Sequence, residues 1–303
     1  MNSHSIIIDE QGLRDGLQSL PRIVPLEMKL DFIRSLINAG LKRIQVTSFV
    51  HPKWVPAMAD AELLCSQLPT DTNVEFSALV LNKKGVERAA QAGIRFVAAS
   101  ISASNTHSKK NANQSLDEAK KEFKEMVALA RQQQISVRGG IQCVFGCRYE
   151  GVIQEEIVYD ITKHHLDCGV EEMAFADSTG MGFPVQMKRM LPRLLELCGS
   201  VPVSLHLHNT ENKGYANLVA ALECGIHQFD TAFGGIGGCP FIQGATGNIA
   251  TEDTVHLLQQ MGYSTGIDIQ AVAAVSAKMQ EWLGSPLPGL LYPLLQNRAV
   301  QII

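Results

Sequence analysis

The 303-residue sequence predicts an α/β fold, a (β/α)8 TIM barrel with a short C-terminal helical extension. Short β-rich runs alternate with segments of helical periodicity, which selects a parallel sheet covered by helices. The runs number eight, as a closed barrel needs. No Gly/Ser linker, internal repeat or low-complexity block divides the chain, so residues 1–303 are read as one domain, with the helical extension at about 265–303.

In order, the expected strands are Ser5–Asp9, Arg43–Phe49, Val74–Val80, Phe96–Ser102, Ser136–Val144, Glu172–Asp177, Val203–His208 and Gln228–Phe233. After the first, Pro25–Ala39 places Leu26, Leu30, Ile33, Leu36 and Ile37 on one stripe and stops at Gly40, as a helix does. Ser115 with Glu118 three residues on marks the start of a helix running through Gln133. Pro184 stands where a helix begins, since the missing N–H costs nothing there. Helical patterns over Thr251–Met261 and Ile267–Leu283 supply the end of the chain.

Hydrophobic residues make up 46% and charged residues 18%, enough apolar side chain for one large core. A net charge of −4 argues against a nucleic-acid partner or a polybasic membrane contact. No apolar run is long enough to span a bilayer, MNSHSIIIDE lacks the layout of a signal or transit peptide, and AVQII carries no retention tag. Seven irregularly spaced cysteines read as reduced thiols, so a cytoplasmic location is expected.

In a barrel of this kind chemistry sits where the strands end. The seventh strand reads VSLHLHNT, and side-chain alternation turns His206 and His208 to one face. Two same-facing imidazoles make a ready metal pair, or two hydrogen-bonded core histidines. The first strand leads into GLRDGLQ, which offers Arg14, Asp15 and Gln18 at the mouth, although Arg-Asp-Gly is also a common turn. After the eighth strand comes GGIGGCPFIQGATGN, a candidate mobile lid carrying Cys239 and ending at Asn248. Two His, one Asp and one Asn form a nitrogen/oxygen donor set that suits one Mg²⁺ or Mn²⁺ better than structural zinc. Cys143 and Cys147 lack a second matching pair and are read as structural.

The segments RDGLQ (14–18), TSFVHPKWVPAM (47–58), SKKN (108–111), SVRG (136–139), YEG (149–151), LHLHNT (205–210) and GGCPFIQGATGNIATED (237–253) run in order through nearly the whole chain. Together they resemble the hydroxymethylglutaryl-CoA lyases of the DRE-TIM metallolyase superfamily. The resemblance implies cleavage of 3-hydroxy-3-methylglutaryl-CoA to acetyl-CoA and acetoacetate with one divalent cation, Mg²⁺ or Mn²⁺. It implies Asp15, His206, His208 and Asn248 as metal ligands, and Arg14, Asp15, His206 and Cys239 as catalytic residues. Asp177 and Glu252 match further active-site acids, and Glu10 a structural one. Gln18, Gln45, Ser48, Arg138, Gln142 and Asp177 are expected to bind substrate, and Lys109 and Lys110 the CoA phosphates. A homo-oligomer, dimer or tetramer, is expected.

The sequence departs from the family pattern at several positions. Gln45 stands for a glutamate, and Asn209 for an aspartate. The usual Arg-Gly-Tyr-x-Ser reads Arg138-Gly139-Gly140-Ile141-Gln142, which removes an inward tyrosine and enlarges a serine to an amide. Such changes redraw a pocket wall, or they are compensated drift. A related thioester (citramalyl-, methylmalyl- or a longer 3-hydroxyglutaryl-CoA) is therefore the alternative substrate. A synthase would carry a regulatory domain for which the chain is too short, and an acyl-CoA-binding protein without catalysis would not keep this complete residue set.

Overall fold

The computed structural model describes residues 5–238 and 247–300, with the side chains of 297–300 left aside. Eight strands form one closed parallel barrel in sequence order: β1 Ile7–Glu10, β2 Arg43–Ser48, β3 Glu75–Val80, β4 Phe96–Ser102, β5 Ser136–Gln142, β6 Glu172–Asp177, β7 Val203–Leu207 and β8 Gln228–Thr231. All eight expected strands are present. β4 and β6 match at both ends, and the ends of the others move by at most two residues, for local reasons. Cys143 takes φ +58°, which stops β5 at Gln142, and a short 3-10 turn at Phe233–Gly235 follows β8. Beyond β7, His208 pairs with Asn248 in an isolated bridge, which ties the seventh strand end to the chain returning toward Ala250.

The covering helices are α1 Leu26–Asn38, α2 Ala61–Ser66, α3 Lys83–Gln91, α4 Asn105–Ala112, α5 Leu116–Gln132, α6 Glu155–Cys168, α7 Pro184–Cys198, α8 Gly214–Glu223, α9 Thr251–Gln260, α10 Ile269–Leu283 and α11 Leu291–Val300. The reciprocal capping box of Ser115 and Glu118 starts α5, and Pro184 opens α7. Gly40 adopts φ +98° with the Gly266 carbonyl 2.3 Å from where a Cβ would stand, so both the turn and the close approach require glycine. Asp268 caps α10, which buries Val272, Val275 and Met279 on the barrel side. α11 lies beyond the two helical patterns visible in the sequence of the extension; Asp253 holds its start by accepting from the Leu290 and Leu291 amides.

By strand alternation Asp9, Arg43, Arg138, Glu172, Asp230 and Gln228 all face inward, so the barrel interior is filled with charge rather than aliphatic side chains. Arg138 ion-pairs with Asp9 (3.3 Å), Glu172 (2.9 Å) and Asp230, and Arg43 with Glu172 (2.8 Å) and Glu75 (3.0 Å). Burial raises the Asp9 carboxyl to about 6 against the pull of both arginines. A network of this kind survives burial only because each charge has a partner.

Outside the barrel, His165 on α6 is fully buried, stacks on Phe123 at 3.7 Å and bonds through Nε2 to the Gly140 carbonyl (3.1 Å). Burial, first of all, lowers its pKa to about 3. The folded protein keeps this imidazole neutral where the unfolded chain protonates it. Stability is therefore intact above about pH 6.5 and declines as pH falls toward 3, by about 2–3 kcal/mol at pH 4.5 from this group. Urea unfolding at pH 7 and pH 4.5 should show a smaller difference in His165→Gln than in the parent; equal differences would exclude His165 as a source of the acid sensitivity.

Candidate active site

After β1 the chain makes a single π-helical turn, Gly12–Gly16, in which the amides of Asp15 and Gly16 both point at the Gln11 carbonyl. Arg14 and Asp15 thus ride on a turn beyond the strand, a conformation found often at functional sites. Glu10 fixes the turn. Its carboxyl accepts from the Gly12 amide (2.7 Å), the Phe233 amide (3.0 Å) and the Thr251 hydroxyl (2.6 Å), which ties the exit of β1 to the exit of β8. Burial pushes Glu10 up to about 8.

Asp15 meets the two histidines of β7. Its Oδ2 lies 3.9 Å from His206 Nε2 and 3.8 Å from His208 Nε2, and the two imidazole nitrogens are 3.0 Å apart. Asn248 Nδ2 donates to Asp15 Oδ2 at 2.8 Å, while Asn248 Oδ1 is buried without a partner. Asp15, His206 and His208 offer ligand atoms within 4.8 Å of one another. Two imidazole nitrogens at 3.0 Å need a shared proton or cation between them. Burial, followed by the charge of His206, lowers His208 to about 4, so its ring is neutral and keeps a lone pair for a ligand. Burial works to raise the Asp15 carboxyl, but Arg14, the two imidazoles and Asn248 hold it well below the ordinary carboxylate range. An ionised oxygen, two imidazole nitrogens and an orphaned amide oxygen suit a divalent cation.

Two chains of contacts fix these ligands. His206 Nδ1 is 3.1 Å from Asp230 Oδ2, and the other oxygen of Asp230 is held by Arg138. This partner leaves His206 Nε2 as the free donor atom facing Asp15. On the opposite lip, the Arg14 guanidinium donates to Asp15 (2.6 Å), to Gln45 Oε1 and to Gln11 (3.4 Å), and Gln11 in turn donates to Asp9 (3.0 Å). Asp230, Glu172, Asp9 and Gln11 were not singled out from the sequence. Inward parity of acids on otherwise apolar strands, as in QFDT, is the signal that would have found them.

Most of the expected site residues gather at this mouth. Gln45 Nε2 and Ser48 Oγ are buried and unpaired there, Ser48 turned inward by a bulge between Gln45 and Thr47. Gln142 ends β5 half-buried, and Gln18 is half-buried beyond the π turn. Lys109 and Lys110 are exposed on α4, Lys110 with its Nζ 4.1 Å from the Tyr149 ring centroid. Arg138 stands lower, only 3% exposed and engaged with the acids and the Ser204 hydroxyl, so it supports Asp230 instead of reaching the mouth. Asp177 also departs from expectation. Ala176 is the register partner of His206 and faces inward, so Asp177 faces the helices, where it accepts from the Gly182 amide (3.0 Å). Glu252 is fully buried below the turn after β8, accepting from the Gly234 amide (3.1 Å) and the Ser276 hydroxyl (2.8 Å). Asn209 keeps the acceptor an aspartate would offer, taking the Gly214 amide at 3.0 Å. Cys239 and the middle of the glycine segment lie outside the described residues. The segment's described ends meet beside the cluster: a Cβ on Gly247 would stand 2.0 Å from the Gly237 carbonyl oxygen, and one on Gly237 would stand 2.4 Å from Asn248 Nδ2.

The HMGL-like family model matches residues 5–279. Over 95% of this chain and 94% of its own length, the (R)-citramalyl-CoA lyase of Chloroflexus aurantiacus is 39% identical. A hydroxymethylglutaryl-CoA lyase of Bacillus subtilis is 37% identical, covering 93% of this chain and 95% of the relative. The solved structure of an HMG-CoA lyase from Acinetobacter baumannii, in complex with coenzyme A and 3-methylmalate, superposes with a TM-score of 0.92 at 36% identity, covering 96% and 95% of the two chains.

Proposed function

The chain belongs to the HMGL-like family and is a lyase of acyl-CoA thioesters, and from the site we propose that it uses Mg²⁺ or Mn²⁺ to cleave 3-hydroxy-3-methylglutaryl-CoA to acetyl-CoA and acetoacetate. The observation that carries the chemistry is the joining of Asp15, His206 and His208 in one cluster with Arg14 in contact with Asp15. The lyase relatives of similar identity name two different thioesters, so a citramalyl-CoA-type substrate is the second reading.

Asp15, His206, His208 and Asn248 would hold the cation. When bound, it supplies Lewis acidity to the substrate's tertiary hydroxyl. Asp15 accepts the hydroxyl proton, and His206, its Nδ1 held by Asp230, keeps its Nε2 turned to the cluster. The carbon–carbon bond then breaks, its electron pair passing to the carbon that becomes the methyl of acetyl-CoA. Arg14, anchored by Asp15 and Gln45, presents charged N–H donors to the developing oxyanion. Cys239 returns a proton to that carbon; the nearness of Gly237 to Asn248 and Asp15 supports this role. Gln18, Gln45, Ser48 and Gln142 contact the acyl group, and Lys109 and Lys110 the CoA phosphates.

The described residues include no helix long and apolar enough to cross a membrane. Cys65, Cys147, Cys168, Cys198 and Cys224 form no disulfide, which supports placement in the reducing cytoplasm. Leu290 and Leu294, 76% and 58% exposed near the chain end, support a dimer or tetramer, testable by sedimentation.

The reading is tested by a panel of thioesters with Mg²⁺ or Mn²⁺, products identified by mass spectrometry. Rapid cleavage of hydroxymethylglutaryl-CoA is expected, with loss of activity on chelation. Exclusive cleavage of citramalyl-CoA would replace the substrate and keep the chemistry, and silence on every thioester would overturn the reading.

A further inference from the structure

The inner faces of β4, β5 and β6 differ from the rest of the mouth. Register pairs align Ser100 with Gly140, Gly140 with Ala174, and Ala174 with Ser204, one row below the metal cluster. No side chain in that row is larger than serine. The row above carries Ala176, the register partner of His206, with Gln142 on the rim. The row below aligns Leu79, Ala98, Arg138 and Glu172. Solvent reaches down this wall: Ser100, Ala176 and Leu79 are half-buried, and Ala98 and Ala174 keep 8% exposure each. Arg138 and Glu172 close the floor at 3% and 5%. Two residues of strand separate rim from middle row, a depth of about 6–7 Å.

Gly140 is part of this construction. A Cβ there would stand 2.2 Å from Ser100 Oγ and 3.0 Å from Ser100 Cβ. The position that carries tyrosine in the family pattern is thus closed to a side chain unless Ser100 moves. Gly140→Tyr alone would not restore the pattern.

We propose that the acyl pocket extends down the β4–β6 wall and that it accepts, on the substrate's carbinol carbon, apolar branches longer than the methyl of 3-hydroxy-3-methylglutaryl-CoA, seated on Ala176 and Ala174. The inference rests on the lyase reading, which puts the carbinol oxygen at the Asp15–His206–His208 cluster. The carbinol carbon then lies beside Ala176, and a branch directed away from Arg14 runs along the alanines. The wall offers no cation free to pair with an anionic group, because Arg138 is spent on Asp9, Glu172 and Asp230. A carboxylate placed there would lose its hydration and face acids, whereas an alkyl branch gains from burial.

The test is a series of 3-hydroxy-3-alkylglutaryl-CoA thioesters with methyl, ethyl and propyl branches, given to the metal-loaded enzyme. We expect kcat/KM to rise about tenfold from methyl to propyl, as two buried methylenes allow. In Ala174→Val the propyl-to-methyl ratio should fall about tenfold. A flat or falling series in the parent enzyme, or an unchanged ratio in a folded Ala174→Val, overturns the inference; should the variant not fold, the parent series decides alone. Cleavage of the methyl compound only would overturn the inference and leave the lyase reading standing. Silence throughout would overturn both.

Discussion

Asp15→Asn should abolish divalent-metal binding and lower kcat by at least about a thousandfold. The carboxylate is the only ionised oxygen in the cluster, and its neighbours are arranged around its charge. Arg14 donates to Oδ1 at 2.6 Å and Asn248 to Oδ2 at 2.8 Å. An amide of nearly the same shape would keep the packing but lose the charge that offsets a dication among buried groups. It would also point two N–H donors at donors. Titration of the apoprotein with Mn²⁺, read by electron paramagnetic resonance, checks the binding half directly, and a turnover assay at saturating metal checks the other. Binding within tenfold of the parent would remove Asp15 from the ligand set. Asp230→Asn offers a graded comparison: it keeps an acceptor for His206 Nδ1 but weakens the hold of Arg138, so an affinity loss of about 10–100-fold is expected.

The barrel was legible because each strand is a short β-rich run flanked by amphipathic helix, a pattern that survives without tertiary information. The His206/His208 pair was legible for the same reason, since period two fixes a shared face. What periodicity alone could not place was anything set by a single residue of parity or by a turn. Asp177 ends its strand one residue past the inward Ala176, and that step alone sends its carboxyl to the helices. Ser48 faces inward only through the bulge after Gln45, which no periodicity announces. The π turn that presents Arg14 and Asp15 depends on Glu10 meeting Phe233 and Thr251, partners more than two hundred residues away. Arg138 carried a recognisable motif, but its depth below the mouth follows from register with Ala98 and Glu172.

Arg14→Lys should lower kcat about 10²–10³-fold while leaving metal affinity within about tenfold. Arginine here is a fork with three partners: Nε to Gln45, Nη1 to Asp15 and Nη2 to Gln11. Lysine keeps the positive charge that helps hold Asp15 ionised, so the ligand set should stay assembled. It cannot engage Gln45 and Asp15 together and still aim an N–H at an oxyanion, because its donors radiate from one point. As a neutral acceptor Gln45 anchors the guanidinium without cancelling its charge, where a glutamate would form an ion pair, so more of the positive field of Arg14 faces the mouth. Gln45→Glu should therefore change kcat far less than Arg14→Lys does. Steady-state kinetics beside Mn²⁺ titration separate the two possibilities for Arg14. A fall in kcat with affinity preserved assigns it to the oxyanion, whereas equal losses in both would mean that it acts only by holding Asp15 in place.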